Sequence, residues 1–137
     1  MISLLISAAI GSAPAGKSDP CKGSSTIEMA QCMDKKIAQA TVRLRVYRTR
    51  AISRFRDEEH DGSTAKAIED AGVAFEAYEK LYCGAVYEQW REGSIRYAMH
   101  QSCTLGTIDE ETHRVWRDFL GFIDDTTPLL PEPKPTQ

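Results

Sequence analysis

A chain of 137 residues, 42% hydrophobic and 27% charged, has room for one globular domain, and its composition is neither disordered nor fibrous. Its formal net charge of −3 directs the whole molecule to no particular partner.

Met1 to Ile10 is an uncharged apolar run, followed by Gly11-Ser12-Ala13-Pro14-Ala15. A short apolar stretch ending in Ala-x-Ala reads as a secretory signal peptide over residues 1–15, cut between Ala15 and Gly16. It is shorter than the roughly 20 residues that cross a bilayer. No Lys or Arg precedes the run, which a start codon set too far downstream accounts for. Ser18-Asp19-Pro20 precedes Cys21 where a lipidation site would need small or apolar residues. No later stretch is apolar enough to span a membrane. The expectation is a soluble periplasmic or secreted protein.

Ser25-Thr26-Ile27-Glu28 fits a capping box that opens a long helix. Met33, Ile37, Ala40, Leu44, Tyr47, Ala51 and Phe55 recur at spacings of three and four, one apolar stripe running to about residue 59. Asp61-Gly62-Ser63 makes the turn. A second helix is expected from Ser63 to about Arg91, its buried stripe formed by Ile68, Ala71, Phe75, Tyr78, Tyr82, Ala85 and Gln89. Gly72 and Gly84 weaken it by about 1 kcal/mol each relative to Ala. Gly93-Ser94 breaks it. A short third helix is expected over Ile95–Leu105. Thr107 or Asp109 is placed to cap a fourth that carries Val115, Trp116, Phe119, Leu120 and Ile123. Residues 126–137, with prolines at 128, 131, 133 and 135, read as a disordered Pro-rich tail. The expected fold is all-α: a long antiparallel helical hairpin with two shorter C-terminal helices, filling residues 16–125.

Cys21, Cys32, Cys83 and Cys103 all follow the cleavage site. An even count in an exported domain implies two disulfides, with three connectivities open. Cys83 and Cys103 lie ten residues before and after Gly93, so antiparallel helices leaving that turn bring them level. Folding the leading segment back along the first helix pairs Cys21 with Cys32. Each loop closure contributes about 3 kcal/mol in the chain-entropy account.

Phe75-x-x-Tyr78-x-x-x-x-Cys83, then Gly93-Ser94-Ile95 and Cys103, resembles the N-terminal domain of the LprI-type lysozyme inhibitors. The opening Cys21, Thr26, Met29 and Cys32 also matches, so the resemblance runs from about Cys21 to Leu120. The chain departs from the family pattern in having Phe75 for Trp, Glu79 for Arg and one glycine, Gly93, for two. The Asp-x-x-Leu-Asn usual in the first helix is not evident. The resemblance implies an all-α, disulfide-bonded, non-enzymatic binding module.

No catalytic or metal constellation stands out. His60, His100 and His113 are the histidines, and His100-x-x-Cys103 alone has ligand spacing, where a zinc site needs four ligands. Hydrolase, metalloprotease and phosphate-loop motifs are absent, and no cofactor is implied. No Cys-x-x-Cys supports thiol redox chemistry.

Charge is unevenly placed. Residues 17–56 carry ten basic and three acidic residues, a net of +7, and residues 57–137 carry seven and seventeen, a net of −10. A basic first helix beside acidic later helices implies salt bridges along their seam. Arg43, Arg50 and Arg54 share one side of that helix and form the alternative surface, one for an anionic glycan or protein. Arg45, Arg48 and Arg56 point elsewhere, so the arginines make no continuous nucleic-acid stripe.

The expected partner is a protein, a lysozyme-type muramidase meeting the acidic second half. The alternative is a structural or stress-related envelope protein that binds peptidoglycan without inhibiting. The expected contact is the turn at Gly93, held by the Cys83–Cys103 bridge, through Arg91, Ser94 and Arg96, with Ser94 also placed to cap the following helix.

Overall fold

A computed structural model of the chain describes Cys21 and residues 25–58, 61–121 and 127–136. The segment read as a signal peptide, and His60, lie outside the described residues.

Three helices carry the fold: α1 (Thr26–Glu58), α2 (Ser63–Gln89) and α3 (Arg96–Val115). No strand occurs among the described residues. α1 opens on the capping box: the Glu28 amide donates to Ser25 Oγ (3.2 Å), and the Ser25 amide donates to Glu28 Oε2 (3.1 Å). Gly62, at φ 63°, supplies the left-handed residue that lets the chain reverse before α2. Cross-helix pairs fix the directions. Arg56 with Glu69 and Arg48 with Glu76 run α1 and α2 antiparallel. Gln101 with Asp34, Arg43 with Asp109, and Arg54 with the Phe119 carbonyl run α3 parallel to α1.

The predicted stripe of α1 is the one that is buried. Ala40, Leu44, Tyr47 and Ala51 join Ile68, Ile108, Val115 and Leu120 in one core, with Ile37 and Phe55 packed at its edge. Three arginines of the basic α1 meet acids of its neighbours: Arg43 with Asp109, Arg48 with Glu76 and Arg56 with Glu69. Both disulfides form as paired from the sequence, with Cα–Cα distances of 5.4 Å for Cys21–Cys32 and 5.6 Å for Cys83–Cys103.

Three expectations are corrected. First, the third and fourth helices are one: α3 runs through residues 105–109 without a break. Asp109 does not cap; its carboxylate accepts from Arg43 Nη2 and from the Thr136 amide. The Thr107 hydroxyl lies 3.8 Å from Cys83 Sγ. The two side chains expected to stop the chain thus meet tertiary partners, and Gly106 alone costs too little to stop a helix.

Second, the buried face of α2 is rotated from the predicted one. Ala65, Ile68, Gly72 and Cys83 are buried, while Ala71, Tyr78, Tyr82, Ala85 and Gln89 are exposed. Ile68 and Phe75 of the predicted stripe do meet the core, but beyond them the interior is filled by a disulfide and by the long side chain of Arg48. A Cβ on Gly72 would stand 2.9 Å from Arg48 Cδ.

Third, the C-terminal residues 127–136 are extended and packed against the bundle. Leu129 and Leu130 pack on the core, and Pro133 is buried. The Leu129 amide donates to the Leu120 carbonyl at 3.1 Å. Prolines rule out internal ladders, but they leave carbonyls free to accept from other parts of the chain. One π-type turn, Trp116–Leu120, joins the end of α3 to this segment. There Gly121 N–H reaches back to the Trp116 carbonyl at 2.7 Å.

Candidate functional site

The α2–α3 connection is a compact turn built from backbone bonds. The Trp90 amide donates to the Tyr87 carbonyl (3.2 Å), Gly93 to Trp90 (2.8 Å), and Arg96 to Gly93 (3.3 Å). The fully buried Cys83 ties the helices together one and a half to two turns behind it. Two further bonds secure α3: Gln101 Nε2 donates to the Ala30 carbonyl at 2.9 Å, and Thr104 Oγ1 to Glu79 Oε1 at 2.9 Å. Glu79, at the position where the family resemblance expects Arg, is therefore an acceptor between α2 and α3.

The candidate side chains sit where the sequence puts them, on this turn. Arg91 is two-thirds exposed, with Nε 3.4 Å from Glu92 Oε1. The Arg96 guanidinium lies over the Tyr87 ring, 4.9 Å from its centroid. Such stacking limits the positions the charge takes. Ser94 is exposed but does not cap α3; the N-cap residue is Ile95, and no side chain caps the helix end.

Sequence reasoning missed what surrounds these residues. Trp90, Ile95 and Tyr97 are exposed beside the arginines. Along α2, Tyr78, Tyr82, Val86 and Trp90 follow one another at i+4 and form a ridge that leads to the turn. The Tyr78 and Tyr82 rings are stacked, with centroids 5.4 Å apart, and each is 53% exposed. Beside the ridge runs a groove bordered by Ser102, Gly106, Glu110 and Arg114 of α3, open where Gly106 has no side chain. The periodicity puts Tyr78 and Tyr82 in the core stripe and does not single out Val86 or Trp90. The phenol of Tyr97 is held above the usual tyrosine range, first by the charge of Asp34 and then by burial.

The alternative surface is mostly engaged. Arg43 bonds Asp109 and the Lys134 carbonyl, Arg54 bonds Glu58 and the Phe119 carbonyl, and Arg50 remains exposed. His100 packs edge-on against Tyr87, and Cys103 is in a disulfide, so that pair does not present a ligand set. Among the described residues no cluster of three or more His, Cys, Asp or Glu is placed to hold a metal ion. No described helix is long and apolar enough to cross a membrane.

A leading segment stapled to α1, α2 stapled to α3 and a tight second turn are the arrangement that the cysteine spacing anticipated, and the family model of the lysozyme inhibitor LprI matches residues 18–114. The chain belongs to that family. No curated protein and no solved structure matches it. The match to the LprI family takes in all four cysteines and the whole α2–α3 turn, and it stops before Trp116 and the C-terminal segment.

Proposed function

We propose that this chain is an exported, non-enzymatic binding module that engages a lysozyme-type muramidase through the α2–α3 end of the bundle. The carrying observation is the juxtaposition at that turn of exposed Trp90, Ile95 and Tyr97 with Arg91 and Arg96, directly ahead of the buried Cys83–Cys103 bridge. Trp, Tyr and Arg dominate the energetics of protein interfaces. A surface held rigid before contact loses less affinity to ordering. Arg91 and Arg96 are the groups for carboxylates in a muramidase cleft, through charge-assisted hydrogen bonds. The disulfides and the family support export, since such bridges persist in oxidising compartments.

The test is lysozyme-driven clearing of a peptidoglycan suspension. The wild-type chain is expected to inhibit, and Arg91→Ala with Arg96→Ala to weaken inhibition about tenfold or more while circular dichroism stays helical. The exposed pair Arg45→Ala with Arg50→Ala is expected to leave inhibition intact. No inhibition by micromolar wild-type protein would remove the muramidase from the reading. Loss in the Arg45/Arg50 variant alone would move the site to α1.

A further inference from the structure

The C-terminal segment is held in an unusual way. Four of its polar contacts join side chains of the bundle to its backbone. Trp116 Nε1 donates to the Leu130 carbonyl (2.9 Å), Tyr47 Oη to the Pro131 carbonyl (2.7 Å), and Arg43 Nη1 to the Lys134 carbonyl (2.7 Å). A proline-rich strand offers many carbonyls and few N–H groups, and this groove presents donors to it. The amide of Thr136, one of the few the segment has, meets the Asp109 carboxylate at 2.6 Å. Side-chain pairs add direction: His113 Nε2 lies 3.0 Å from Glu132 Oε1, and the Thr136 hydroxyl donates to Asp109 Oδ1 (2.9 Å) and accepts from Arg43 Nη2 (2.5 Å). Two aromatic donors on successive carbonyls, beside a buried proline, make up the chemistry by which aromatic grooves hold extended proline-rich chains.

We propose that the groove formed by Arg43, Tyr47, Asp109, His113 and Trp116 is a recognition site for a proline-rich segment of a partner protein, with the chain's own residues 130–136 as its tethered occupant. Three observations point beyond ordinary packing. The contacts read backbone atoms, one buried proline and the side chains of Glu132 and Thr136, so another segment of the same chemistry satisfies them. The family match ends at residue 114, ahead of Trp116 and the occupant. The Leu129 amide is tied to the Leu120 carbonyl of its own helix end, which favours displacement of residues 130–136 by a partner over their exchange with a second copy. The ligand class is an extended strand with alternating prolines, an acidic residue between the first two, and a hydroxyl residue after the last.

The test uses the full chain and a fluorescein-labelled peptide of residues 127–137, read by anisotropy. In one variant, Leu129→Ser with Leu130→Ser loosens the resident segment. In a second, Glu132→Lys with Thr136→Ala removes its side-chain anchors without touching apolar contacts. Saturable binding is expected in at least one folded variant, with wild type about tenfold weaker because its tethered segment competes. Adding Tyr47→Phe is expected to weaken the peptide about fivefold, the loss of one hydrogen bond. A peptide with alanine for the prolines at 131, 133 and 135 is expected to bind more weakly still. No saturable binding in folded variants, or equal binding by wild type, overturns the proposal. So does concentration-dependent dimerisation of the wild type that either variant abolishes, since that assigns the groove to a second copy.

Discussion

The phenol of Tyr47, in the middle of α1, donates to the carbonyl of Pro131 at 2.7 Å, so one buried hydroxyl joins the core of the bundle to the C-terminal segment. Burial holds that phenol above the usual tyrosine range, opposed in part by the nearby charge of Arg43. The proton is the one donated to Pro131, so ionisation breaks the bond. A group whose pKa is raised on folding stabilises the fold fully below its unfolded pKa, and that stability is lost as pH rises through the folded pKa. Tyr47→Phe is therefore expected to cost about 1 kcal/mol near neutral pH. The gap between wild type and variant should close only in alkali, above the ordinary tyrosine range. Paired denaturation curves across that range measure it, and a gap that closes on the acid side would show that the hydroxyl is not the cause.

Periodicity places both Leu44 and Phe75 in the core, and they are expected to behave differently. Leu44 is 5% exposed among Ala40, Tyr47 and Ile108, so Leu44→Asp places an unpaired charge in the core and should unfold the domain. Phe75 is only partly buried, with the Arg48 guanidinium 5.7 Å from its ring centroid. Phe75→Asp gives that arginine a carboxylate partner, so a folded but weakened protein is expected. Chemical denaturation of both variants separates the cases; equal collapse would place Phe75 in the core after all.

What the sequence made legible, and what it hid, follows from where the partners lie. The Ser25–Glu28 box and the α1 stripe are local patterns, set by neighbours three and four residues away. The Cys83–Cys103 pair was legible because a turn midway between two helical positions fixes their register. The buried face of α2 was legible only at Ile68 and Phe75, because Gly72 and Cys83 carry its remainder while the larger Tyr78 and Tyr82 face outward. Hydrophobicity alone reads that pattern in the wrong phase. The C-terminal segment was hidden for another reason. Its composition states correctly that it makes no helix, but its donors, Arg43 and Tyr47, lie 91 and 84 residues away from the carbonyls they reach. Trp116 reads in the sequence as one of the residues that the fourth helix carries, and nothing local marks its indole N–H as a donor to Leu130.

Glu111 gives a prediction of the opposite practical sense to a stabilising ion pair. Its side chain is 12% exposed, and burial holds its carboxyl above the usual glutamate range despite the Arg114 and Arg48 charges beside it. The fold thus holds the proton more tightly than the unfolded chain does. Stability from this group is present below the unfolded pKa and is lost as pH rises through the folded one. Glu111→Gln keeps an acceptor for Arg114 and removes the charge. It is expected to melt with wild type in acid, below the glutamate range, and above wild type at neutral pH. A lower melting temperature at neutral pH would mean that the Arg114 pair outweighs the burial cost.

The two bridges are expected to differ in what they protect. Both loops carry a chain-entropy contribution of about 3 kcal/mol, so either Cys→Ser pair should lower the melting temperature. Only Cys83–Cys103 lies directly behind the α2–α3 turn. Replacing Cys83 and Cys103 with Ser should therefore raise hydrogen exchange at the turn amides, such as that of Gly93, while replacing Cys21 and Cys32 should leave them protected. Equal protection in both variants would show that the backbone bonds of the turn suffice to hold it.

Gly72 and Arg48 supply the sharpest test of how α2 is packed. A Cβ built on Gly72 would stand 2.9 Å from three atoms of the Arg48 side chain, Cδ, Nε and Cζ. That side chain crosses the helix at the glycine, reaches over Phe75, and keeps Nη2 buried with no hydrogen-bond partner among the described residues. Two effects then oppose each other in Gly72→Ala. Alanine in a helix interior is favoured over glycine by about 1 kcal/mol, but the methyl pushes the arginine off its perch. In wild type the substitution should be neutral or destabilising. With Arg48→Ala already present, the obstacle is gone, and Gly72→Ala should stabilise by about 1 kcal/mol. A double-mutant cycle in denaturant reads the difference directly, with a coupling energy of about 1 kcal/mol or more expected for groups in contact. Additive effects would mean that Arg48 does not lie over Gly72 in solution, and that the α2 face turns differently from the one described.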